Sequence, residues 1–301
     1  MVAGEQAVDA QINFSAVPVS QEDVAKLIQN QPNRNSLQYI PAGDVYDFRL
    51  HVVAKDGSVT PVTTFTVPLT LSFTLSPNAD PDLAGVYYLA ADGTIQYVGG
   101  TVVNGAMTVK VNHFSQYAVL EYNKTFSDVD SNYWASRVIK IMAAKQIIEG
   151  IDENQFAPQR NVTRAEFAAM IVRALGLKAV NRAVFQDVEP SQWHAEAIAA
   201  VSEAGIVLGR NAGTFAPNDT ITREEMAVMS IRAYEYGKDK QASSAKRDAF
   251  SDQTQISVWA QAEVSKAQEL GLIHGRGGNQ FAPKGKLTRA ESAQIISKLI
   301  D

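Results

Sequence analysis

The 301-residue sequence has no cysteine. That excludes disulfides, thiol catalysis and cysteine-based zinc or iron–sulfur sites. Histidine is scarce: His51, His113, His194 and His274 are scattered, with no pair three or four residues apart to hold zinc on one helix face. No apolar run reaches the roughly 18 residues that a membrane-spanning helix needs. There is no Gly-x-Ser-x-Gly, no phosphate loop and no conspicuous carboxylate pair for glycoside hydrolysis. Asp128, Asp130 and Asn132 begin like a calcium loop, but Tyr133 at its sixth position and Ile139 at its twelfth reject an EF-hand. The sequence therefore calls for no metal, no cofactor and no enzymatic activity of its own. A basic surplus is missing too. Net charge is −5, and residues 123–301 hold 22 Lys+Arg against 21 Asp+Glu, which argues against nucleic acid as a partner. The opening residues, Met1 to Gln6, have neither a basic nor an apolar stretch, so they do not read as a signal peptide.

What is present describes a folded chain of about two domains, 46 % hydrophobic and 20 % charged. Residues 1–11 read as a flexible start. From Ile12 to Tyr122 the pattern is strand-like: Val45–Val53, Thr63–Leu75, Val86–Leu89, Ile95–Val98, Met107–Val111 and Tyr117–Leu120. Asp56-Gly57, Asp92-Gly93 and Asn104-Gly105 are turn pairs suited to tight hairpins. One helix is expected from Ser20 to Gln29, with Ser20 as its N-cap. Together these give an antiparallel β-sandwich over 12–122.

The rest of the chain repeats itself. Phe126, Phe185 and Phe250 each open a short Asp-containing segment (Asp128, Asp187, Asp252) that leads to the protein's three tryptophans, Trp134, Trp193 and Trp259. From each Trp it is 22 residues to a Phe-Ala-Pro, at Phe156, Phe215 and Phe281. Eight more lead to the Arg of a Thr-Arg-x-Glu, at Arg164, Arg223 and Arg289. A fixed spacing used three times marks one helix–loop–helix unit used three times. The third copy is the most divergent, with one extra residue before Trp259 and Gln253 in place of a valine.

Thr-x-x-Glu is a capping box, which accounts for Thr163 with Glu166, Thr222 with Glu225 and Thr288 with Glu291. It does not account for the arginines. At the first helical position a cation meets the positive end of the helix dipole, at a cost of roughly 0.3–1 kcal/mol. Three of them call for an anion, either an internal carboxylate or the carboxylate of a ligand. The tryptophans fit either core packing or sugar-stacking platforms. Asp128, Asp187 and Asp252 fit either loop caps or partners for sugar hydroxyls. Gly150, Gly209 and Gly275, in the loops before each Phe, suit an unusual backbone or close approach of a ligand. Each proline is expected to hold an extended turn.

Residues 124–301, about 60 % of the chain, resemble three tandem S-layer homology repeats, at 124–183, 184–246 and 247–301. The stretch from Gly85-Val-Tyr-Tyr through His113-Phe-Ser-Gln-Tyr-Ala-Val resembles, more weakly, the β modules that precede such repeats in large secreted enzymes. The resemblance implies an α+β multidomain chain in which the repeats form an all-α, pseudo-threefold trimer after the β-sandwich. It implies non-covalent anchoring of an exported protein to secondary cell-wall polysaccharide. By motif match, Arg164, Arg223 and Arg289 would contact an acidic, typically pyruvylated, sugar. Self-association follows if the chain is an S-layer lattice subunit; a surface-anchored polysaccharide hydrolase with its catalytic domain upstream is the other context. Since such proteins are exported, the sequence reads as the C-terminal part of a longer polypeptide, or as a mature or truncated product.

Overall fold

A computed structural model describes residues 10–32, 36–181, 185–211, 213–238 and 248–300. Most of the expected flexible start, and the boundary expected between the second and third repeats at 246/247, lie outside the described residues. The chain divides into two compact units: residues up to Phe126 with Ala143–Gln146, and Ser127–Met142 with Ile147 onward.

The first unit is antiparallel throughout. Its strands are β1 (Gln11–Pro18), β2 (Leu37–Val53), β3 (Val59–Pro61), β4 (Thr64–Thr74), β5 (Ala84–Leu89), β6 (Ile95–Gly99), β7 (Thr101–Val103), β8 (Ala106–His113) and β9 (Gln116–Lys124). One sheet runs β1-β2-β9-β5-β6, with β3 also paired to β2; the other runs β4-β8-β7. Alternation along β9 explains why it is buried on both faces. Tyr117 and Val119 join Phe48, Phe73, Val86 and Met107 in a core drawn from both sheets. Ala118 and Leu120 point the other way, to Val24 and Leu27 of helix α1 (Gln21–Gln29). The Ser20 side chain caps α1 by accepting from the Asp23 amide.

Strand β2 begins eight residues before the alternation that signals it. Its ladder with β9 is interrupted between Pro41 and Val45, as a proline without an amide proton requires. Gly43 fits there because a Cβ would lie 2.7 Å from the Thr74 carbonyl oxygen. Strand β1, exposed on both faces, and the three-residue β3 and β7 lie outside the expected runs.

The second unit holds six helices among the described residues: α2 (Ser136–Ala144), α3 (Arg164–Leu175), α4 (Ala195–Glu203), α5 (Arg223–Lys238), α6 (Gln261–Glu269) and α7 (Arg289–Ile300). They form three helix–loop–helix repeats. The first helix of each ends at a residue of positive φ, namely Gln146 (+56°), Gly205 (+70°) and Gly271 (+69°). Left-handed backbone closes a helix at little cost in glycine, less cheaply in glutamine.

Helix starts leave amides without intrahelical partners, and here the neighbouring repeat supplies them. The Arg164 amide donates to the Asp219 carbonyl, Arg223 to Gly285 and Arg289 to Arg160, each at 2.9 Å. The next amide of each helix donates to a proline carbonyl: Ala165 to Pro217, Glu224 to Pro283, Ala290 to Pro158. The first repeat thus rests on the second, the second on the third and the third on the first. The bonds close in a cycle.

Candidate functional site

Capping boxes hold all three helix starts, with each Glu accepting from the threonine amide and each threonine hydroxyl from the glutamate amide. The arginine that follows turns its side chain onto the neighbouring repeat. Arg164 Nε donates to the Phe215 carbonyl at 2.8 Å, Arg223 Nε to Phe281 and Arg289 Nε to Phe156, both at 2.7 Å. The guanidinium carbons stand 4.7, 5.1 and 4.5 Å from the centroids of the same three rings, within cation–π range. All three residues are buried, at 4–6 % exposure. Burial pushes their pKa values below the ordinary one. Carbonyl oxygens and ring faces thus offset much of the charge that looked misplaced at a helix start.

The capping glutamates do a second job. Glu225 pairs with Arg164 at 3.1 Å and Arg210 at 3.0 Å; Glu291 pairs with Arg276 at 2.8 Å and, more loosely, Arg223 at 3.8 Å. Burial works to raise the Glu225 and Glu291 carboxyls, but the capped amides and these cations outweigh it and hold both below their usual range. In the first repeat Glu166 pairs with Arg160 instead, at 2.5 Å. Sequence reasoning missed these partners, although Arg210 and Arg276 stand directly after Gly209 and Gly275, where the first repeat has Ile151.

Both oxygens of each motif aspartate are engaged by backbone. Asp128 accepts from the Phe156 and Ala157 amides at 2.8 and 2.6 Å, Asp187 from Phe215 and Ala216 at 2.9 and 2.7 Å, and Asp252 from Phe281 and Ala282 at 2.7 and 2.8 Å. The structure thereby assigns them to holding the loop. What they hold is strained: Ala157, Ala216 and Ala282 have φ of +57°, +60° and +54°, not the extended backbone expected before a proline. A non-glycine residue held there costs about 1–3 kcal/mol, which two charge-assisted bonds offset.

The tryptophans are not core residues. Trp134, Trp193 and Trp259 are 57, 66 and 54 % exposed, and buried Phe156, Phe215 and Phe281 fill the interior instead. Of the three loop glycines only Gly209 has a positive φ, +78°, and a Cβ there would lie 2.7 Å from both the Phe185 ring and the Thr214 oxygen. Gly150 and Gly275 do not adopt that backbone.

One cleft of about 450 Å³ gathers several of these groups: Arg164 from the first repeat, Gly209, Arg210, Glu225 and Arg232 from the second, and Trp259 from the third. Its three guanidinium groups, paired with Glu225 in the cleft and with Asp219 and Glu263 beside it, stand near an exposed indole. Trp193 lines a separate depression of about 840 Å³ with Arg173 and Glu196. No cluster able to hold a metal ion occurs among the described residues, and no helix there is long and apolar enough to cross a membrane.

The S-layer homology domain model matches three times, at residues 125–168, 184–227 and 249–293. The second unit belongs to the S-layer homology family. Such domains bind cell-wall polysaccharide and attach proteins to the cell surface, so the protein is extracellular and wall-attached. Relatives of two kinds match it. An amylopullulanase of Thermoanaerobacterium thermosulfurigenes is 39 % identical over 93 % of this chain and 15 % of its own length. An exoglucanase, XynX, of Acetivibrio thermocellus is 42 % identical over 61 % of this chain and 17 % of its own. The S-layer protein sap of Bacillus anthracis is 32 % identical over 65 % of this chain and 24 % of its own. The chain therefore spans about a sixth of the length of the first two relatives and a quarter of the third.

Proposed function

We propose that the chain anchors an exported protein non-covalently by binding acidic, pyruvylated secondary cell-wall polysaccharide, and is not itself catalytic. In this reading residues 124–301 are the anchor, built as a pseudo-threefold trimer of repeats at 124–183, 184–246 and 247–301. Residues 12–122 are a β-sandwich that does not bind the wall. The observation that carries the reading is the cleft at Arg164, where cationic side chains meet an exposed tryptophan. A sugar carboxylate suits the guanidinium groups, and a pyranose face suits the indole. The other motif residues contribute unequally: the aspartates shape the loops behind the site, while the tryptophans offer stacking surfaces.

The host protein is the second part of the proposal. The alignment with the amylopullulanase takes in most of the β unit as well as the repeats. The S-layer protein sap aligns over 65 % of the chain. This favours a surface-anchored glycoside hydrolase over a lattice subunit as the context. Sedimentation with purified bacterial walls tests the anchor. The chain should pellet with native walls and stay in solution once acid extraction has removed the polysaccharide. Equal pelleting with extracted walls would refute the proposal.

A further inference from the structure

Within the β unit, strand β2 has a notch along one side. Its ladder with β9 ends at Asp47–Gln116, and its ladder with β3 begins at His51–Pro61. Between those two pairs no strand continues either ladder, since β3 stops at Pro61 and β9 starts only at Gln116. Main-chain bonds pin the margins. The Phe48 amide donates to the Ser115 carbonyl at 3.0 Å, the Val62 amide to the Leu50 carbonyl at 2.8 Å, and the Phe114 amide to the Thr63 carbonyl at 3.2 Å. The notch is therefore preformed, and it opens as a cleft of about 400 Å³, a size usual for small-ligand sites. Asp47, Arg49, His51, Tyr88, Phe114 and Gln116 line it.

Alternation along β2 sends Asp47, Arg49 and His51 to one side of the strand. Arg49 donates through Nε and Nη2 to a single Asp47 oxygen, Oδ2, at 3.0 and 2.6 Å. The other Asp47 oxygen, the His51 ring and the Gln116 side-chain amide have no hydrogen bond among the described residues. We infer that this notch binds a neutral, polyhydroxylated ligand, a short stretch of an uncharged polysaccharide, and that it is separate from the anchoring cleft. The chemistry selects that class. A sugar hydroxyl is donor and acceptor at once, so it can give its proton to Asp47 while accepting from Arg49. Gln116 offers both roles to a neighbouring hydroxyl. The Asp47–Arg49 pair carries no net charge, so an ionised ligand would enter without a partner for its charge. Tyr88 and Phe114, both half-buried, supply apolar surface for the C–H face of a sugar ring.

Calorimetry on the full chain tests this, with maltotriose, cellotriose and xylotriose as neutral probes and trigalacturonate as a charged competitor. At least one neutral trisaccharide should bind at one site per chain, and trigalacturonate should not displace it. Asp47→Ala and Arg49→Ala should each weaken that binding about tenfold or more, and Gln116→Ala about threefold. Arg49→Ala should leave the melting temperature unchanged, because its side chain is 61 % exposed, and so keeps the test meaningful if Asp47→Ala unfolds. The Arg49→Ala chain should also sediment with native walls as the wild type does. Binding of none of the three neutral probes would overturn the inference. So would unchanged affinity in Arg49→Ala and Gln116→Ala, or displacement by trigalacturonate. Loss of wall sedimentation in Arg49→Ala would overturn it too, by making the notch part of the anchor.

Discussion

In the β unit the strands supply one another with hydrogen-bond partners, and apolar side chains from two sheets fill the space between. In the repeat unit the start of each second helix finds part of its partners only in the next repeat: its amides meet loop carbonyls and its arginine meets a carbonyl and a ring face. The first arrangement is lost by emptying the core, the second by removing a polar side chain.

The contrast is sharpest under substitution. Arg289→Ala leaves the Phe156 and Glu149 carbonyls without their donor and opens the joint between third and first repeats. At about 1.5–3 kcal/mol per charged bond, a loss of roughly 3–6 kcal/mol is expected. All three tryptophans lie in the repeat unit, so fluorescence during urea unfolding reads that loss. In the β unit the matching change is Phe73→Ala, at a residue 2 % exposed. It should cost about 3–5 kcal/mol, read as lost amide-exchange protection in β4 and β8. A repeat unit indifferent to Arg289 would erase the contrast.

Asp252→Ala comes next. It frees the Phe281 and Ala282 amides while leaving Ala282 at positive φ, so a loss of about 2–3 kcal/mol is expected in the same fluorescence assay. Acid should act on the repeat unit in a definite direction. Glu225 and Glu291 have folded pKa values below the ordinary carboxylate value, so their contribution is complete above about pH 4.3 and falls away as pH drops through the folded values. Thermal melting followed at 295 nm excitation should be flat from pH 7 to 5 and decline below about pH 4. Glu225→Gln should flatten that decline. The smallest effect expected is a gain: Gln146→Gly, at φ +56° where the sibling repeats have glycine, should stabilise by about 0.5–1 kcal/mol in the same melts.

Local chemistry was legible in the sequence. Ser20 caps α1, Asn104 and Gly105 turn β7 into β8 with both φ positive, and the capping boxes form as their spacing requires. The repeated motif carries the family resemblance by itself. Strand β1 was not singled out because all eight of its residues stay exposed, and the start of β2 because Pro41 breaks its pattern. The tryptophans were ambiguous because a regularly spaced indole looks alike in a core and on a rim. Partners of the arginines were out of reach for a different reason. Phe156 is 133 residues from Arg289, and only closure of the cycle brings them together. The distinction of Gly209 from Gly150 and Gly275 is a matter of φ, which three identical letters do not encode.

The proposed function turns on the cleft that brings Arg164 and Trp259 together. Proton–nitrogen correlation spectra of the full chain test it most directly, because its three tryptophans give three indole N–H signals, assignable by single Trp→Phe replacements. On titration with a pyruvate-ketal saccharide, the Trp259 signal should move and saturate while those of Trp134 and Trp193 stay in place. Equal movement of the Trp134 or Trp193 signal at the same saccharide concentration would contradict the account.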